Sequence, residues 1–242
     1  MFKNCIWISA ILFLFFVSSA FTVGKEMSKT RTVKAVVLSD SSQFLLYDYL
    51  QLESVGLSRK AYEYAIRGYR HLQASGRLMN SQVLSIIDFS LPSSAKRLFV
   101  IDIKNAVLLF NTYVSHGRNS GKEMASTFSN SPQSFKSSLG FYTTAGTYMG
   151  KHGYAMRLLG EEKGINDNAF DRGIVMHAAP YVSEDYIRMQ GYIGRSEGCP
   201  AIPAQIHKAI IEKIKNGSCL FIYSPVKYYA AKSLLLKGHI AA

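Results

Sequence analysis

Beyond its first twenty residues the sequence has no apolar run longer than a few residues, so no later segment approaches the about 20 apolar residues that a bilayer span needs. Acidic side chains are scarce: 16 Asp and Glu stand against 28 Lys and Arg, a formal net charge of +12. Cysteine is scarcer, with only Cys5, Cys199 and Cys219. Small disulfide-stapled scaffolds use more than that, and a core of this size needs no staple. No H-x-x-x-H or C-x-x-C spacing occurs, which argues against a metal centre of local ligands. There is no internal repeat and no nucleic-acid-binding motif.

What is present begins with "MFKNCIWISAILFLFFVSSA". Lys3, an apolar stretch from Cys5 to Val17 and the small residues Ser18, Ser19 and Ala20 read as a secretory leader over 1–20, cut after Ala20. The remaining chain is expected to be exported to the periplasm or cell envelope, soluble, and without a stable membrane span. In a cytosolic chain the basic balance would raise nucleic acid as a partner, but export argues against it. Anionic envelope polymers are the alternative, and simple solubility explains the charge equally well. Cys5 leaves with the leader, so Cys199 and Cys219 either pair in an oxidising compartment or leave a working thiol free.

A polar linker is expected over 21–42. A short helix over 44–53 and an amphipathic helix over 58–76 follow. The second carries Ser58 as its cap, Ala61, Ala65, Ile66, Tyr69 and Leu72 on one face, and Gly76 at its end. These form a small N-terminal helical region, 43–83. From about residue 84 the pattern becomes strand-like: "RLFVIDI" (97–103) and "AVLLFNTYVSHG" (106–117) read as a hairpin turning at Lys104–Asn105. "SSLGFYTTAGTY" (137–148), "GIVMHAA" (173–179) and "SCLFIYSP" (218–225) read as further strands. A helix is expected over 204–217, and a short one in the tail, 227–242. The fold class is mainly β with a few helices (α+β), and the principal domain spans 84–226.

"GRSEGCPAIP" (194–203) holds two candidate nucleophiles. Ser196 sits in a literal G-x-S-x-G, but a hydrolase elbow runs directly into a helix, and here Pro200 and Pro203 delay one. No Asp follows Ser196, and Glu212 lies in a helix heading away. Ser196 is therefore a turn residue or a hydrogen-bond donor. Cys199 is the stronger candidate. His177 ends the apolar strand "GIVMH" and is its natural base, although a histidine unrelated to Cys199 is the default for a single residue. Gly198 permits close approach of a backbone, and successive N–H groups in such a turn form an oxyanion hole. His116 in "VSHGRNSG" is placed in the same cleft, and His152 in a loop. His116, His152, His177 and Cys199 together make the alternative zinc set.

"GIVMHAAP…GRSEGCPAIP" resembles the His…Ser-x-Gly-Cys signature of L,D-transpeptidases, the YkuD-type catalytic domain, in its murein L,D-transpeptidase branch. The likeness extends over about residues 40 to 225, through the hairpin at 86–121 and "FSNSPQSFKSSLGFYTTAGTYMGKHG" (128–153). It implies a β-sandwich-like core, Cys199 as nucleophile, and His177 as a base oriented through a backbone carbonyl, with no acidic third member. Gly198 and Cys199 match the positions whose N–H groups bind the oxyanion, and Ser196 matches the motif serine. Peptidoglycan stem peptides are the implied partners, and no metal or organic cofactor is needed. Two departures stand out. Most of the family has Arg two residues after the Cys, where this chain has Ala201, and the loop from His177 to Cys199 is longer. Arg195 and Arg172 are the candidate substitutes for substrate binding. The competing functions are a non-catalytic peptidoglycan-binding domain and a metal-dependent wall peptidase. Oligomeric state stays open.

Overall fold

The computed structural model describes residues 40–237 except His152; the expected leader, most of the expected linker and the last five residues lie outside the described residues. The chain runs α1 (Asp40–Tyr49), α2 (Arg59–Ala74), β1 (Val83–Asp88), β2 (Leu98–Asp102), β3 (Val107–Thr112), β4 (Gly140–Gly150) and β5 (Gly153–Gly160). It continues through β6 (Val175–Ala178), α3 (Glu184–Gln190), β7 (Ala201–Ile202), α4 (His207–Ile214), β8 (Cys219–Tyr223), α5 (Lys227–Lys232) and α6 (Leu234–Lys237). The eight strands join in one sheet of order β3-β2-β1-β8-β4-β5-β6-β7. A mainly β fold with few helices is what the sequence leads one to expect.

β1 and β8 are the parallel centre, and every residue of both is buried. That fits the unbroken apolar run of β8 and the mostly apolar β1, in which only Ser85 and Asp88 are polar, since a strand covered on both faces has no reason to alternate. Helix α2 buries Ala61, Tyr62, Ala65, Ile66, Tyr69 and Leu72 in the same apolar core. Its start is capped by Ser58, whose Oγ accepts the Ala61 N–H at 3.1 Å. Its end is a Schellman pair, with Gly76 N–H to Gln73 O at 3.0 Å and Arg77 N–H to Leu72 O at 2.9 Å. Gly68 is where the helix meets the sheet: a Cβ there would lie 2.0 Å from the Phe141 ring.

The first helix begins earlier than expected, at Asp40 rather than 44. The β2–β3 turn spans 103–106 instead of two residues, because the Asp102 carboxylate takes the Asn105 N–H at 2.8 Å and Ala106 adopts φ +54°. Strands β1, β5 and β7 and helix α3 have no counterpart in the sequence reading. The tail is docked: Tyr229 is fully buried and donates to the Glu162 carboxylate at 2.9 Å, with Ser233 donating to the same group.

Candidate active site

Four neighbouring strands carry a row across the sheet. Tyr148 on β4 pairs with Ala155 on β5, Ala155 with His177 on β6, and His177 with Ala201 on β7. Side chains two apart on a strand share a face, so Val175 and His177 point the same way. Cys199 stands two residues before Ala201, and its Sγ accepts the Val175 N–H at 3.5 Å. The parallel β6–β7 register therefore brings Cys199 and His177 onto one wall. Both line a cavity of about 640 Å³, with Tyr148, Phe135, Tyr181 and Ser196 among its other walls.

The turn that presents Cys199 is organised by Ser196. Its Oγ donates to the Cys199 carbonyl at 2.6 Å and accepts the Gly198 N–H at 3.1 Å. Its own N–H donates to His116 O at 2.9 Å, and its carbonyl accepts the Arg118 N–H at 2.7 Å. A hydroxyl so engaged is structural. Gly198 has φ +125°, and a Cβ there would stand 2.9 Å from Lys136 O, so the loop at 129–138 is what demands glycine. The Gly198 N–H is spent on Ser196. The Cys199 N–H has no acceptor among the described residues.

His177 is 5% exposed, and its Nδ1 lies 2.8 Å from Ala178 O. A carbonyl can only accept, so Nδ1 carries the proton and the neutral ring keeps its lone pair on Nε2. The Cys199 S–H points at Gly173 O, 3.7 Å away. Burial pushes this thiol above its ordinary value, against the opposing pull of the Val175 N–H and of the Arg172 and Lys151 charges.

Arg172 reaches the site differently from expectation. One nitrogen donates to Ser129 O (2.9 Å) and Ser138 Oγ (3.1 Å), the other to Lys136 O (2.7 Å) and Ser134 Oγ (3.3 Å). It pins the 129–138 loop while lending charge to the thiol. Arg195 lines the cavity and donates to Arg118 O at 3.2 Å and Gly121 O at 3.1 Å. His116 does not line this cavity, contrary to its expected place in the cleft. It is fully buried, with Nδ1 accepting from Arg97 at 2.7 Å and Nε2 3.3 Å from Gly121 O. Burial and the Arg97 charge push it down to about 3, so it stays neutral. A guanidinium on its ring nitrogen also removes it from the zinc set. His152 lies outside the described residues, and no metal-holding group of three His, Cys, Asp or Glu occurs among those described.

The two late cysteines are both free, with Cys219 fully buried on β8. The cavity walls that sequence reasoning missed include Arg118, Gln133, Phe135, Tyr148, Lys151, Tyr181 and Glu197. No local motif marks Phe135, Tyr148, Lys151 or Tyr181. Phe135 and Gln133 do carry backbone strain, at φ +53° and +55°, of the kind that gathers at functional sites.

The family model for an L,D-transpeptidase catalytic domain matches residues 53–223, well over half of the chain. The chain belongs to this family. Among solved structures it is similar to an L,D-transpeptidase from Mycobacterium smegmatis, at 15% identity and TM-score 0.38, covering 59% of each chain. It is similar to L,D-transpeptidase 3 from Mycobacterium tuberculosis at 12% identity and TM-score 0.39, over 59% of this chain and 61% of that one. It is also similar to an L,D-transpeptidase from Stackebrandtia nassauensis at 12% identity and TM-score 0.36, over 76% and 77%. The chain spans about three fifths of the length of the first two. No curated protein matches it. Within the L,D-transpeptidase match, 53–223, fall α2, the eight strands and the whole of the cavity wall.

Proposed function

We propose that the protein is an exported peptidoglycan L,D-transpeptidase acting through Cys199. The observation that carries this is the nucleophile turn: a thiol with an unspent N–H beside it, in one cavity with a histidine fixed by a backbone carbonyl. Because burial holds the resting thiol protonated, His177 acts as a general base at the moment of attack. Sγ forms a bond to the carbonyl that joins an L-centre to a terminal D-residue of the stem, diaminopimelate–D-Ala. The developing oxyanion is met by the Cys199 N–H. His177 returns the proton to the leaving amine as the C–N bond breaks, leaving a thioester. An amine of a neighbouring stem then takes the acyl group and completes a cross-link, or water takes it and the outcome is carboxypeptidase action.

Ala201 in place of the usual Arg, with the basic charge, gives a binding domain as the second reading. Intact-mass measurement of the protein with a tetrapeptide stem, following released D-Ala, separates the two. Release and an acyl adduct are expected for the wild type and neither for Cys199→Ala. Salt-sensitive retention on peptidoglycan without release would favour the binding domain.

A further inference from the structure

We propose that Lys151 is a recognition residue for a substrate carboxylate, and that the cavity selects stem peptides whose carboxyl groups are free over their carboxamide counterparts. This rests on the reading of the cavity as the stem-peptide site.

Four cations line the cavity, Arg118, Lys151, Arg172 and Arg195, against one carboxylate, Glu197. A pocket of that balance favours an anionic ligand, and low-dielectric walls strengthen the preference. Three of the four cations already have work. Arg172 makes four hydrogen bonds to the 129–138 loop. Arg118 lies 4.0 Å from the centre of the Phe135 ring and 3.6 Å from Glu197. Arg195 donates to two backbone carbonyls. Lys151 alone has no hydrogen bond, ion pair or ring contact among the described residues.

Its position follows from register. Gly150 pairs with Gly153, so Lys151 opens the two-residue tip of the β4–β5 hairpin. Tyr148, three residues earlier, belongs to the row that contains His177. At about 3.3 Å per residue the tip stands about 10 Å beyond that row. From there a four-carbon stem carries the ammonium back over the cavity, and its field is felt at Cys199. A cation on the cavity wall with no partner among the described residues is one that an anionic ligand can complete.

Carboxylate and carboxamide have nearly the same shape, so a pair of stem tetrapeptides differing only there isolates charge. Binding is measured by calorimetry on the full chain carrying Cys199→Ala, which removes turnover from the reading. The free acid is expected to bind at least about tenfold more tightly than the amide, and the ratio to fall below about threefold when Lys151→Ala is added. Lys151→Arg should keep the preference. Equal binding of the two peptides by the Cys199→Ala protein overturns the proposal, as does an undiminished ratio in the double variant. A preference that survives in a wild type releasing no D-Ala would overturn the transpeptidase reading while supporting this one.

Discussion

Cys199 and Cys219 lie twenty positions apart in one fold, and the regions around them are built on opposite principles. Cys219 opens β8, a central strand whose five residues are all buried between β1 and β4. Burial, helped by the charges of Glu161 and Glu162, pushes its thiol far above the ordinary range. Cys199 sits in a bend just before β7, where backbone groups are tied by side chains rather than by a ladder. It is also desolvated, but a backbone N–H, the Arg172 guanidinium and Lys151 pull against the burial. Burial alone makes a thiol inert. Burial combined with aimed donors and a cavity makes one that can be switched on.

The sharpest way to break this contrast is alkylation. In the folded protein, iodoacetamide should modify Cys199 at least about a thousandfold faster than Cys219, read by peptide mapping, because thiolate fraction and access both favour it. The Cys199 thiol is raised, so its alkylation rate should still be climbing at about one pH unit above 8.5, where an ordinary cysteine has levelled off. A plateau near neutral pH would mean a preformed thiolate and would remove the need for His177 as base.

The same contrast explains what the sequence revealed. β8 is an unbroken apolar run and α2 repeats its apolar residues at helical spacing, so pattern alone located these parts of the core; β1, interrupted by Ser85 and Asp88, was not legible in the same way. Cys199, His177 and Ser196 were found through a local motif. The members supplied by other segments had no such signal. His116 looked like a cleft residue because a histidine after a strand is ambiguous, and only the packing of Arg97 against its ring decides that it faces inward. Lys151 belongs to the site through the β4–β5 register, and β5 was not legible because its flanking glycines read as breaks. Arg172 was named as a substrate ligand. Its four bonds to a loop more than thirty residues earlier are long-range facts that composition does not carry.

Ser196 tests whether the site's organisation depends on its turn as heavily as β8 depends on packing. Ser196→Ala removes the acceptor of the Gly198 N–H and the donor to the Cys199 carbonyl together. The expected loss of D-Ala release is about a hundredfold, on the scale of losing an aligned oxyanion donor. Because Cys199 itself remains, a slow acyl adduct should still accumulate in intact-mass spectra. Full activity in Ser196→Ala would mean that the turn holds its shape without the clasp.

The smallest effect belongs to the other cysteine. Cys219→Ala deletes one buried sulfur from a close-packed strand, at a cost of about 1–2 kcal/mol in urea unfolding near neutral pH, with turnover per folded molecule unchanged. The pH dependence carries the physical content. A thiol whose folded value is raised contributes its full share of stability below the unfolded value, and that share is lost as pH climbs above about 8.5, where the unfolded chain releases the proton and the folded one does not. Alanine has no proton to release. The wild type's advantage over Cys219→Ala should therefore shrink steadily from pH 8 to pH 10. A difference that stays flat over that range would show that Cys219 ionises as easily in the strand as in the open chain, and the contrast between the two thiols would then rest on access alone.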